Sequence, residues 1–502
     1  MKHVITYAAA LLLTACASGA AQAGPKPAAG PTAGKPVLDQ EEAWFEFAFL
    51  GRKVGYMLAR DELTQINGQA AIHAHRWSVV TVRRERETVR MEFATDAYFT
   101  PDGTPMRFTQ SRKEGAEARN LEGYRDGDVM VIRQDVGGNV ETTRIPLEGV
   151  KLASSLDVLV TQHLEVGWKA SGKALDEAEG SVQEYAMEVV KKTEREGKPV
   201  FEVRQVLGPL TTTLWVSPDG KVQASQTDPI KATLARTTRD KAVAMPDGTV
   251  DIFSSGMFAV PELPPGQELE QLTVRLSGRS GARPPFITGL GQKAKDEKKG
   301  SVVLVLTALD PPAKRVARAS AGKKMKAFLQ PTPYEPLSDE RLKAVVARVV
   351  GDEPDAWAAA RAINAFVHGH IQNKSLAKAF ATAVEALESK EGDCTEHAVL
   401  FSALAKIAGI PTRLVTGLVY VGPGRKMFGY HEWVEVYLAG RWIPMDPTFG
   451  QDVADPTHIK FTEGQSDHDG LREAGLVAAQ IIGDLKLDVL EYVTLTKERR
   501  KL

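Results

Sequence analysis

The sequence predicts an α+β chain: an antiparallel β-rich region comes first, and a core of helices packed on an antiparallel sheet follows. Three observations carry this reading. From about residue 38 to 245 apolar and polar residues alternate with period two, as along Val89, Met91, Phe93, Ala97 and Phe99 against Arg90, Glu92, Asp96 and Tyr98. From Ser338 the apolar residues recur at helical spacing instead. Beyond Gly409 the alternation returns, now in strands that carry a histidine and an aspartate. A length of 502 residues with 43% hydrophobic content is enough for two or three domains with their own cores.

Residues 1–16 read as an export signal: Lys2 and His3, an apolar run from Val4 to Leu13, then small residues. The run is too short to span a bilayer, which takes about 20 apolar residues. Its ending, Leu13-Thr14-Ala15-Cys16, resembles the bacterial lipobox, which implies a diacylglyceryl group on Cys16 and a membrane anchor through that lipid. Ala17 rather than Asp after the cysteine implies, by the same pattern, the outer membrane facing the periplasm in a Gram-negative host. Residues 17–37 are mostly Gly, Ala and Pro and form a tether with nothing to bury. Cys16 and Cys394 are the two cysteines of the chain. With Cys16 lipidated, Cys394 has no intrachain partner, so in an oxidising compartment it is either inert and buried or kept for its reactivity.

Residues 38–245 form the β-rich domain. Asp126-Gly127 between Tyr124 and Val129 predicts a hairpin, and Pro218-Asp219-Gly220 another. A helix is expected near Leu152 to Leu164. His73 and His75 share a strand face; two such histidines can bind a metal, but a polar strand face is the simpler reading, and no metal site is assigned. Residues 246–330 read as a small β subdomain, with strands at Glu268–Leu276 and Ser301–Leu306 and a charged loop at Lys293–Lys299 between them. Lys plus Arg total 63 against 64 Asp plus Glu. That balance argues against nucleic acid or an anionic surface as the main partner.

Residues 331–465 are the expected catalytic core, and 466–502 a C-terminal segment ending in a basic, solvated helix end. Ser338 can cap a helix with Leu342, Val345, Val346 and Val349 on one face and Gly351 as its stop. A second helix puts Trp357, Ala360, Ile363, Val367 and Ile371 in line, and a third covers Ala379 to Leu387. Asp393 is the N-cap of a fourth, and Gly409 followed by Pro411 ends it. Cys394 then sits in its first turn, where free N–H groups favour an anion and are expected to lower the thiol pKa. His431 and Trp433 alternate with Tyr430, Glu432 and Val434 along a strand, and Ala439-Gly440 is the tip of a hairpin. A two-residue loop pairs Leu438 with Arg441 and places Asp446 diagonal to His431 on one face, within reach of a hydrogen bond.

The blocks Gly392-Asp393-Cys394-Thr395-Glu396-His397-Ala398, Gly409-Ile410-Pro411-Thr412-Arg413, Tyr430-His431-Glu432-Trp433 and Trp442-Ile443-Pro444-Met445-Asp446-Pro447-Thr448 resemble the bacterial transglutaminase-like family. The resemblance covers roughly Ser338 to Phe461. It implies a papain-like core with Cys394 as nucleophile, His431 as base and Asp446 as the acid that orients it. Asp455-Pro456-Thr457-His458 resembles a stretch that often follows the aspartate there. Trp433 is a candidate for the substrate cleft. His397 is expected to be structural, since no second ligand pair stands near it. The Cys394 N–H can supply one oxyanion donor; Trp357 and Gln372 are weak candidates for a second. The activity implied is attack on an amide carbonyl of a protein or peptide through a thioester, with no cofactor. Water as acceptor makes a cysteine peptidase or amidase; an amine makes a cross-linking transglutaminase; a binding module of the same fold is the third reading. Hydrolysis is favoured because aminolysis needs a dedicated dry amine site.

Overall fold

Antiparallel pairing dominates the fold. The computed structural model describes residues 42–84, 87–114, 117–136, 138–245, 251, 256–322, 325–373 and 381–502. Cys16, the export signal and the tether of residues 17–37 lie outside the described residues. The described chain divides into two compact units, one up to Asp251 and one from residue 256 onward. Strands hold 51% of the described residues and helices 19%. The α+β description therefore suits the second unit, while the first is almost wholly β.

The first unit is one 15-stranded sheet. Eight strands from Ala43–Phe49 to Asn139–Pro146 pair each with the next, turning at positions such as Gly127, whose φ of 61° is open to glycine without strain. The first strand also pairs with the last, Ala232–Thr237, so a second run continues outward to Lys169–Asp176 and the short Val150–Leu152. The edge strands Asn139–Pro146 and Val150–Leu152 are nearly consecutive in the chain, so the sheet has to curl to bring its ends together. Its core joins them: Phe99, Phe108, Met130 and Ile132 pack with Val150, Leu152 and Leu175. The expected helix spans Ser155–Thr161, shorter than its periodicity suggests, and turns Leu156 and Val160 inward.

In the second unit, helices Glu340–Val349, Ala356–His370 and Ala383–Ser389 pack around Cys394–Ile407. Each expected helix is present within a few residues, although Asp339 rather than Ser338 is the first cap, and the expected start of the third lies outside the described residues. The Cys394–Ile407 helix lies against strands Thr412–Tyr420 and Met427–Leu438. Those strands pair with each other, with Ile459–Gly464 on one side and with Arg441–Met445 and Met257–Ala259 on the other.

Two expectations are corrected. Lys293–Lys299 is not a loop: Gln292–Lys298 is an edge strand, with Gln292 buried and Lys293, Lys295 and Lys298 exposed. Nor is the C-terminus a solvated helix end. Leu485–Thr494 pairs with Leu269–Gly278 inside the same five-stranded sheet, and Arg499–Lys501 forms its other edge. The apolar alternation of Leu485, Leu487 and Val489 supplies the buried face, and the basic residues at both edges discourage pairing with another chain. Among the described residues no helix is long and apolar enough to cross a membrane.

Candidate active site

Asp393 caps the Cys394–Ile407 helix through a reciprocal pair: its carboxylate accepts from Thr395 N–H, and Asp393 N–H donates to Glu396 Oε2 at 2.8 Å. This fixes Cys394 as the first helical residue. His397 spends its Nδ1 on the Asp393 carbonyl at 2.6 Å, the structural role expected of it. The helix continues apolar and buried to Gly409, whose φ of 82° ends it.

The hairpin has the predicted two-residue loop, with φ of 51° at Ala439 and 82° at Gly440, and Leu438 faces Arg441. Its register carries Asp446 to His431. His431 Nε2 lies 2.7 Å from Asp446 Oδ2, and both side chains are buried. The Asp446 carboxylate is saturated: Oδ1 accepts Thr448 N–H at 2.7 Å and Phe449 N–H at 3.0 Å, and Oδ2 also meets His458 Nε2 at 3.1 Å. Burial alone would raise its pKa. The charge of His431 and the hydrogen bonds from both imidazoles prevail and hold it far below the usual carboxylate range.

Cys394 reaches the same strand one residue along. The helix that begins at Cys394 packs on that strand, and the Glu432 backbone amide, next to His431, is among the groups that act on the thiol. With Nε2 turned to Asp446, Nδ1 is the His431 nitrogen left for another partner. The expected low thiol pKa is not found. Desolvation, although the side chain keeps part of its exposure, and the neighbouring Asp393 and Glu432 carboxyls push the thiol up. Glu432, itself buried, is also held well above the usual range, first by burial and then by Asp393 and Glu396.

His458 is a member of the site that period and register do not reveal. It sits between Asp446 and Asp455, with Nδ1 3.0 Å from the Asp455 carbonyl and 3.4 Å from Oδ1. Although burial disfavours its charge, these two carboxylates raise its pKa to about 10. Asp455 falls to about 2, despite burial, through the same contact. The only signal in the sequence was the Asp-Pro-Thr-His likeness. Phe449, 39% exposed, stacks on the His431 ring at 5.0 Å. Trp433, the cleft candidate, is 1% exposed and packs edge-on to His458 at 5.1 Å, and the two share the lining of a small cavity with Asp455 and Lys460. Gln372 is exposed and turns its amide to the Gly369 carbonyl.

Residues 343–447 match the transglutaminase-like superfamily. A segment of 87 residues is 33% identical to the kyphoscoliosis peptidase of Mus musculus, covering 15% of this chain and 12% of that protein's length. Two solved structures are weakly similar. The periplasmic domain of TgpA from Pseudomonas aeruginosa is 16% identical with a TM-score of 0.26, over 40% of this chain and 93% of that one. A β-barrel-like protein of a domain of unknown function from Brucella abortus is 9% identical with a TM-score of 0.31, over 39% of this chain and 94% of that one.

Proposed function

We propose that the chain, whose residues 343–447 match the transglutaminase-like superfamily, is a thiol enzyme that cleaves amide bonds of proteins or peptides through Cys394, His431 and Asp446. The observation that carries the reading is the buried His431–Asp446 pair at 2.7 Å, on the strand against which the Cys394 helix packs. Because the thiol is held protonated at rest, proton transfer accompanies attack. His431 Nδ1 takes the S–H proton as the S–C bond forms, and the carbonyl electrons move to oxygen. The Cys394 N–H, free at the helix start, faces that developing charge. Collapse expels the amine, which takes the proton back from His431, and leaves a thioester. Water then attacks, His431 receives its proton, and the acid departs as the thiol regains it. Asp446 keeps the ring oriented and stabilises its charged form.

The test is incubation with a denatured protein substrate and a biotinylated primary amine, comparing wild type with Cys394→Ala and His431→Ala. New peptide termini in wild type alone support hydrolysis. Biotin on glutamine side chains instead supports acyl transfer. Neither product would leave the binding-module reading.

We further propose that the enzyme is held on the outer membrane through a lipid on Cys16, as the lipobox-like Leu13-Thr14-Ala15-Cys16 suggests. Cys16→Ser should move it from the membrane to the soluble fraction. An unmodified N-terminus downstream of residue 16 in the mature protein would refute this.

A further inference from the structure

The first unit carries a second cluster of chemistry-bearing side chains. Strand Gln69–Arg84 lies between Arg52–Ile66 and Glu87–Phe99. Alternation sends Ile72 and Ala74 into the core and turns His73 and His75 to the other face. Asp96 stands directly across from His75 on the neighbouring strand. Its Oδ1 meets both imidazoles, His73 Nε2 at 2.7 Å and His75 Nδ1 at 2.9 Å. The three donor atoms all lie within 4.8 Å of one another. The side chains keep 22%, 31% and 36% of their exposure, so an ion can enter from solvent while the strands hold the ligands.

We propose that His73, His75 and Asp96 form a site for a divalent transition-metal ion, Zn2+ in the first instance. Two imidazole nitrogens and one carboxylate oxygen are borderline ligands, which suit Zn2+, Ni2+ and Cu2+ better than Mg2+ or Ca2+. A tetrahedral ion with bonds of about 2.0–2.1 Å needs donors roughly 3.3 Å apart, so the two sides of the triangle that meet at Asp96, now 2.7 and 2.9 Å, lengthen by a few tenths of an ångström as the ion enters. Each imidazole moves its proton to its other ring nitrogen, and the ion takes the place of the two N–H bridges to Asp96.

The surroundings fix the ligands. Tyr98 stacks on the His73 ring at 4.3 Å with planes 1° apart, and the Arg107 guanidinium covers Tyr98 at 4.1 Å. Arg60, across from His75, is matched by Glu62, across from His73, so its charge is screened. Three protein ligands leave a fourth position to water. The ion would tie two adjacent strands and stabilise the sheet by mass action.

The test is calorimetric titration of the metal-free full chain with zinc chloride, alongside Co2+ absorption and thermal melts. The expected result is a micromolar Zn2+ site and a zinc-dependent rise in Tm, both absent from His73→Ala/His75→Ala, with Asp96→Asn weaker by about tenfold or more. Mg2+ should not substitute. Zinc held elsewhere in the chain would persist in the double variant, so the difference between the proteins is the reading. Equal zinc affinity and stoichiometry in wild type and double variant would overturn the proposal, as would binding only at millimolar zinc. If the double variant does not fold, His75→Gln alone, nearly isosteric and half-exposed, gives the same comparison.

Discussion

Asp446 places two imidazoles on one oxygen, and the consequences can be read from pH. His458 has a folded pKa of about 10 against 6.5 for a free imidazole. A raised value stabilises the fold fully below pH 6.5, and the contribution is lost as the pH climbs through 10. The melting temperature of wild type should therefore fall toward that of His458→Gln over this window; a gap that stays constant from pH 6 to 10 would contradict the assignment. Cys394 gives a second prediction. Because burial and then Asp393 hold the thiol up, iodoacetamide should label it more slowly at pH 7 than a free thiol of pKa about 8.5. Asp393→Asn keeps an N-cap oxygen but removes the charge, and should accelerate labelling; an unchanged or slower rate would refute the electrostatic cause. The pairing of His431 with Asp446 was legible in the sequence because one short hairpin fixes both. The thiol environment was not, because Glu432 reaches Cys394 only through the packing of a helix on a strand well separated in sequence.

Elements place these residues through register, and register depends on a few positions. Gly417 lies where a Cβ would come within 1.9 Å of the Ile459 carbonyl oxygen and 2.9 Å of the Trp433 ring. Gly417→Ala should push the Ile459–Gly464 strand away, displace His458 at its start and cost about 3 kcal/mol or more of stability, measured by urea unfolding. Substitution of Gly440, at the hairpin tip with open space around it, should cost about 1 kcal/mol through its positive φ alone. Equal losses at the two sites would contradict the register argument. Helices with clear apolar spacing and caps were readable, as was the two-residue turn. The strand at Gln292–Lys298 was not: its charges resembled a solvated loop, whereas they are the exposed face of a sheet edge.

At the scale of the molecule, the division into a β unit and a mixed unit follows the change of hydrophobic period. The expected C-terminal segment of residues 466–502 contains Leu485–Thr494, which completes a sheet begun at Leu269–Gly278. No local pattern announces a pairing between strands more than two hundred residues apart. Truncation after Asp484 should therefore free one edge of Leu269–Gly278, which keeps its pairing with Ser301–Thr307, and leave the chain aggregated; a soluble truncated protein with a native melting curve would contradict this. The curling of the 15-stranded sheet was likewise unreadable, because it depends on edges that meet only when every intervening strand is in place.

The central claim is that Cys394 carries the acyl group and His431 activates it. The most direct measurement is peptide mapping by mass spectrometry after brief exposure to p-nitrophenyl acetate. The account predicts one hydroxylamine-labile acetyl group on Cys394 in wild type, and its loss or sharp reduction in His431→Ala. Acetylation of Cys394 at equal rates in both proteins, or an acetyl group found elsewhere while Cys394 stays free, would contradict it.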